Sequence, residues 1–325
     1  MIRLVNLDRL YTDLNNLLYQ AQEQVLSSGQ IMLGKYTLQL EEALAERANA
    51  QYCSIVGSGS DALMYGLRAT GKTSTTIPAQ TFIATKNSCR RADMDIVFAD
   101  VKINGCVDFD SVTTDSVVWV GLFGNNSAFP KDITVYEDGA QHFGLPLKGE
   151  FASYSFDPTK SLPNFGNGGA VVSNNEELIE RVKQLRRHGQ VDVHTGGNSV
   201  MSERDCAELL VKLKYFDGWT KHRQELAEHY IEKLEDYVDC VTDPLGMVSK
   251  FVIATDKKSC LKTHLTLKDI QCKDVYTEPL ANLPQANVNC ERFLSIPCDS
   301  YTTLDEASTV VEHIKMFFEP SPLKT

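Results

Sequence analysis

The stretch SDALMYGLRATGKTSTTIP, Ser60 to Pro78, carries at Gly66 to Thr73 the letters G-x-x-x-x-G-K-T of a nucleotide-binding loop, and the order of its elements decides the fold. Such a loop grips phosphate only when a strand leads in and a helix leads out, because the first amides and the positive dipole end of that helix make the contact. Here the order is reversed. Leu63, Leu67 and Thr70 recur at helical spacing, Ser60 or Asp61 is a candidate N-cap, and Gly71 suits the position after a helix. The β-branched STTIP that follows reads as a strand. Lys72 therefore lies at the carboxyl end of a helix, where a cation complements the dipole, and the match is read as a coincidence of letters. If this helix holds a phosphate, it does so at its other end, in GSGSDAL, Gly57 to Leu63.

The same helix-and-strand texture extends in both directions. Leu10, Leu14, Leu17, Leu18, Ala21 and Val25 predict an amphipathic helix from Leu7 to about Ser28, and a second is expected at 37–50. Short apolar runs follow: YCSIV (52–56), TTIP (75–78), DIVFADV (95–101), VVWVGLFG (117–124), ITVYED (133–138), FASYSF (151–156) and GGAVV (168–172), with helical stretches such as 61–70 and 83–92 between them. Several are nearly continuous hydrophobics, the texture of strands covered on both faces. The fold class is α/β, a mainly parallel sheet wrapped by helices, in which ligands bind outside the carboxyl ends of the strands. A long helix is expected at about 218–237, ahead of a less regular tail. We read residues 1–225 as a large domain with N-terminal helices and 226–325 as a smaller α+β domain.

Composition narrows the function. With 325 residues, 42% hydrophobic and 23% charged, the chain can bury a sizeable core. Acidic side chains outnumber basic ones 43 to 32, for a net charge of -11, so no global field attracts nucleic acid or an anionic membrane. The nine cysteines include no C-x-x-C pair and read as reduced thiols, with neither a metal site nor a disulfide framework. No signal-like or membrane-spanning apolar run is present, which leaves the cytoplasm as the expected location.

Three segments carry chemistry. GSGSDAL sets glycines and serines before a helix, an arrangement that holds a phosphate or simply makes a turn. TVYEDGAQHFG, 134–144, ends an apolar strand with Glu137, Asp138, Gln141 and His142; acids there call for a cationic or hydrogen-bonding partner, or cap a helix. SFDPTKSLPNFGNGGAVV, 155–172, sets Lys160 in a loop between strands, where it is either solvated or partly buried and able to attack a carbonyl. Read singly, these assign nothing. Together they meet the three demands of pyridoxal phosphate: a phosphate cradle, a carboxylate for the pyridine nitrogen and an amine for the Schiff base.

In GQIMLGKYTLQLEEALAERANAQYCSIVGSGSDAL, IPAQTFIAT, YEDGAQHFG, YSFDPTKSLPNFGNGGAVVSN, LRRHG, GGNS and LKYFDGWTKHR, over the first two thirds of its length, the chain resembles the DegT, DnrJ, EryC1 and StrS sugar aminotransferases. The resemblance implies the fold-type I aspartate aminotransferase architecture, with a seven-stranded sheet. It makes Lys160 the catalytic amine that bonds to pyridoxal 5'-phosphate and shuttles the proton. Asp138 would pair with the pyridine nitrogen, Gln141 would bond the phenolic oxygen and Phe82 would stack on the ring. Gly59, Ser60, Asp61 and Ser155 would complete the cofactor site, with Asn198 reaching in from the neighbouring subunit of a homodimer whose active sites are shared. Departures from the family pattern are Ser60 for threonine, Gly139 for alanine, Asn167 for aspartate and Val200 for an arginine near the substrate.

The implied reaction moves an amino group from L-glutamate to a keto group of a nucleotide-linked deoxysugar, with Lys35, Arg186 and His188 as candidate cations for the nucleotide diphosphate, and no metal, nucleic acid or membrane partner. Amination of a keto cyclitol or another small ketone, and a silent cofactor-binding regulator, are the alternatives.

Overall fold

The computed structural model describes residues 1–189 and 196–319. Two helices, α1 (Leu7–Ser28) and α2 (Lys35–Arg47), precede β1 (Tyr52–Val56), α3 (Gly59–Thr70), β2 (Ser74–Pro78), α4 (Ile83–Arg91) and β3 (Asp95–Ala99). Then come β4 (Ser116–Val120), β5 (Thr134–Asp138), β6 (Phe151–Ser155), β7 (Gly169–Ser173), α5 (Glu176–Leu185), α6 (Glu203–Leu213) and α7 (Phe216–Leu234). The rest of the chain is β8 (Asp239–Cys240), β9 (Phe251–Ala254), α8 (Lys258–Thr266), β10 (Lys273–Asp274), α9 (Pro284–Arg292), β11 (Phe293–Ile296) and α10 (Leu304–Phe318).

The first seven strands make one sheet in the order β1-β7-β6-β5-β4-β2-β3. All run parallel except β7, which is antiparallel to both β6 and β1. Burial alternates between two apolar layers. Phe151 and Val171 enter the layer with α3 and α5, while Ala152, Tyr154, Ala170 and Val172 enter the layer with α1, α2 and α6. Helices on both faces are why these strands read as unbroken hydrophobics. β3 departs from that reading: it is the sheet edge, and Asp95 and Val97 are exposed.

The remaining strands form a second, antiparallel sheet in the order β10-β11-β9-β8. Its residues Val252, Ala254 and Phe293, with Val275 just after β10, join the α3 layer of the large sheet, so the tail packs onto the larger body. α7 spans both: Phe216 and Trp219 pack with the large sheet, and Leu226, Ala227, Tyr230 and Leu234 with the small one. The division drawn at 225/226 falls inside this helix.

Helix ends differ from expectation where caps decide them. Ser58, ahead of the predicted Ser60 or Asp61, caps α3: its Oγ accepts from Asp61 N at 3.1 Å. α3 ends as expected at Gly71, in the left-handed region with φ 71°. α2 stops at Arg47, short of the predicted residue 50, and Asn49 takes a left-handed turn.

Candidate active site

A cavity of about 720 Å³ opens at the carboxyl ends of the parallel strands, between the two sheets. Gly59, Ser60, Phe82, Asp138, Gln141, Ser155 and Lys160 all line it.

Ser58 turns the chain from β1 into α3 and leaves the first amides of the helix facing the cavity, where the dipole favours an anion. Gly59 packs against the end of β6 so closely that a Cβ there would lie 2.5 Å from Ser155 Cβ and 3.0 Å from Ser155 Cα. Only glycine fits, and the Ser155 hydroxyl is thereby held against the helix start. Ser88 Oγ of α4 donates to Ser60 O at 2.9 Å and ties the first turn of α3 in place.

Asp138, at the end of β5, is 9% exposed. Its Oδ2 accepts from Thr85 Oγ1 at 2.8 Å and its Oδ1 from Ala140 N at 3.3 Å. Burial raises its pKa, and the two hydrogen bonds and the nearby Lys160 ammonium oppose that rise. A cation placed against it would complete the compensation that two neutral donors leave unfinished.

Lys160 follows β6 in a loop closed by Phe156 N donating to Gly168 O at 2.9 Å and Asn164 N donating to Phe156 O at 2.8 Å. Its amine makes no hydrogen bond to another described residue. Burial lowers its pKa, against the pull of Asp138 and Asp157, so the neutral, nucleophilic form is more accessible than for a solvated lysine.

Phe82, the residue before α4, keeps 57% of its surface exposed and faces Tyr276 with ring centroids 6.5 Å apart. Gln141 Oε1 accepts from Phe123 N at 2.9 Å, while its Nε2 donates to Tyr276 OH at 3.3 Å. Tyr276 reaches in from the small sheet with a left-handed backbone, φ 57°.

The site therefore offers a tight cradle of helix amides, a buried carboxylate and an amine with lowered pKa. These are the donor types that pyridoxal phosphate needs for its phosphate, ring nitrogen and aldehyde, and the residues fit it.

The family model of the DegT/DnrJ/EryC1/StrS aminotransferases matches residues 13–315. The chain belongs to that family. As an aminotransferase of the DegT/DnrJ/EryC1/StrS family it uses pyridoxal phosphate. It is similar to the "pleiotropic regulatory protein" of Geobacillus stearothermophilus, 28% identical over 98% of both chains. It is also similar to the dTDP-3-amino-3,4,6-trideoxy-alpha-D-glucose transaminase of Streptomyces venezuelae, 25% identical over 97% of this chain and 96% of the relative. Among solved structures, S. venezuelae DesV superposes with a TM-score of 0.92 at 25% identity, covering 98% of this chain and 99% of the other.

Other residues expected at the site lie elsewhere. Asp61 does not line the cavity: Arg91 Nη2 donates to its Oδ1 at 3.1 Å and Ser199 Oγ to its Oδ2 at 2.7 Å, so it braces the helix start. Arg186 is buried against Glu41, with Nη1 donating to Glu41 Oε1 at 2.7 Å and to Ile55 O at 2.6 Å, and it faces the β1 edge of the sheet. Lys35 begins α2 in solvent, with its amine 5.4 Å from the Tyr36 ring centroid. His188 is exposed, with a left-handed φ of 66°. Asn198 is exposed and bridges to Arg187, outside this chain's own cavity. Lys72 pairs with Asp115 at 2.8 Å on the surface. No helix among the described residues is long and apolar enough to cross a membrane.

Sequence reasoning missed Thr85, Ser88, Arg223, Lys250 and Tyr276, which all line the cavity. Thr85 and Ser88 carried one signal, their place on the helix that begins at the Phe82 loop; Arg223, Lys250 and Tyr276 lie far along the chain from the motifs.

Proposed function

We propose that this enzyme transfers an amino group from L-glutamate to a keto group of a nucleotide-linked deoxysugar, as a homodimer in which Asn198 of each subunit completes the other's site. The observation that carries the reading is the convergence of the α3 amides, Asp138 and Lys160 on one cavity. The printed activities of relatives, among them the S. venezuelae transaminase and a UDP-2-acetamido-2-deoxy-3-oxo-D-glucuronate aminotransferase of Pseudomonas aeruginosa, support a nucleotide sugar.

When bound, the cofactor supplies an electron sink for the carbon that bears the amino group. Lys160 Nζ would take the proton from that carbon and return it at the adjoining position, a role that its burial-lowered pKa favours. Asp138, whose charged form the Thr85 and Ala140 hydrogen bonds favour against burial, would hold a proton on the ring nitrogen. Gly59, Ser60 and Ser155 would hold the phosphate, so that Lys160 and Asp138 would act on an oriented cofactor.

The test is the visible spectrum of the cofactor-loaded enzyme, with Lys160→Ala beside it, before and after L-glutamate. A band that needs Lys160 and that glutamate bleaches supports the reading, as do parallel double-reciprocal lines with a keto sugar. A band that glutamate leaves intact favours the regulator alternative, toward which the name of the Geobacillus relative points.

A further inference from the structure

The wall of the cavity formed by α7 and the small sheet has no role in the chemistry above, and it is rich in cations. Arg223 sits midway along α7, where it is 2% exposed. Its Nη1 donates to Ser300 Oγ at 2.6 Å and its Nη2 to Thr220 Oγ1 at 3.1 Å, both neutral acceptors, while Nε is buried with no partner. No described carboxylate pairs with it. Asp299, beside Ser300, spends its oxygens on Asn6 N at 2.6 Å, Asn6 Nδ2 at 2.8 Å and Tyr301 N at 3.0 Å. A guanidinium left this way retains a desolvation cost, visible in a pKa drawn down to about 10 by burial.

Lys250 enters the same cavity from the residue before β9. β9 and β11 are antiparallel with Phe251 opposite Ile296, so Lys250 leaves its strand beside the exit of β11 that leads to Ser300. Its amine forms no hydrogen bond to a described residue. Burial, and then the charges of Lys160 and Lys273, draw it down to about 8, with Asp157 alone opposing. Lys273 of β10 lies on the other flank of β11, opposite Ser295. Adjacent elements thus bring Arg223, Lys250 and Lys273 to the lining of one cavity, and Lys250 lies within electrostatic reach of Lys160. A planar guanidinium with spare donors matches an oxyanion, and a nearby ammonium adds charge without demanding geometry.

We propose that Arg223 and Lys250 form an oxyanion-binding subsite for a group carried by a reactant, either the carboxylate of the amino donor or a phosphate of the acceptor. This rests on the aminotransfer reading. Unlike Lys35, Arg186 and His188, both residues line this chain's own cavity.

The experiment is calorimetric titration of the cofactor-loaded enzyme with succinate and, separately, with inorganic phosphate, for the wild type, Lys250→Gln and Arg223→Lys, the visible spectrum confirming retained cofactor. The wild type is expected to bind at least one of these anions, and at least one variant to weaken it tenfold or more. A loss confined to succinate assigns the subsite to the donor, and one confined to phosphate assigns it to the acceptor. Should Arg223→Lys fail to fold, Lys250→Gln still decides. No anion binding by the wild type, or a change below tenfold in every folded variant, overturns the proposal. Failure of the aminotransfer reading is distinct: glutamate leaves the wild-type spectrum unchanged while anion binding persists.

Discussion

Replacing Arg186 by methionine separates a structural cation from a substrate-binding one. Glu41 Oε1 accepts from Arg186 Nη1 at 2.7 Å and from Ile55 N at 2.9 Å, and both side chains are buried. In Arg186→Met the carboxylate stays in place with one neutral donor, and Ile55 O loses its donor as well. Breaking a buried pair from one side costs about 3–5 kcal/mol, because the remaining charge is left uncompensated. With a urea slope of about 3 kcal/mol/M, the unfolding midpoint should fall by roughly 1–1.7 M. Glu41→Gln in the same background should recover part of the loss, since a neutral amide tolerates the site better; a double-mutant cycle on urea melts measures the coupling. Turnover per folded molecule and the half-saturating acceptor concentration should stay within about twofold, a change under roughly 0.4 kcal/mol. An unchanged midpoint with a raised half-saturation would refute this reasoning and return Arg186 to the substrate.

Gly59→Ala should weaken cofactor binding by about tenfold or more, read by equilibrium dialysis, because a Cβ 2.5 Å from Ser155 Cβ forces α3 and β6 apart at a cost of about 1–3 kcal/mol. Lys72→Ala should leave cofactor binding unchanged and stability within about 1 kcal/mol by urea melt, since its ion pair with Asp115 is exposed on both sides. Glu306→Gln should destabilise the protein at pH 7 and much less near pH 2. Its pKa is lowered to about 2, chiefly by Arg9, so its contribution is present above the ordinary carboxylate range and lost as pH falls toward that value; urea melts across pH test this. Thr85→Val should raise the Asp138 pKa further and move the acid limb of the glutamate half-reaction to higher pH, because it removes the 2.8 Å donor that opposes burial.

The fold was legible because strands covered on both faces, those of the large sheet other than the edge strand β3, read as mostly apolar runs, and their order relative to the helices ruled out the nucleotide loop. Asp138 stands at the end of such a run, where the parallel sheet opens, but Lys160 lies in the loop after β6, and both were singled out by the combination and order of three segments and by the family resemblance. Caps were less so. Apolar spacing marks the face of α3 but not its first residue, and the Ser58 hydroxyl moved that start ahead of Ser60. The buried pairing of Arg186 was not legible, because its partner Glu41 lies 145 residues away. Arg223 and Lys250 escaped notice because the packing of the small sheet, not local sequence, turns them into the cavity.

α7 belongs to two cores at once, and that makes it an axle rather than a linker. Domain boundaries that tolerate cutting fall in exposed segments with few crossing contacts. A gene split between codons 225 and 226 would sever a packed helix two residues past Arg223, stripping the large half of its clamp and leaving the small half with a bare apolar stub at Leu226 and Tyr230. Each fragment should be insoluble by itself and recoverable only when both are made together. The same continuity means that a change on one end of this helix is felt at the other, with the catalytic cavity at its midpoint.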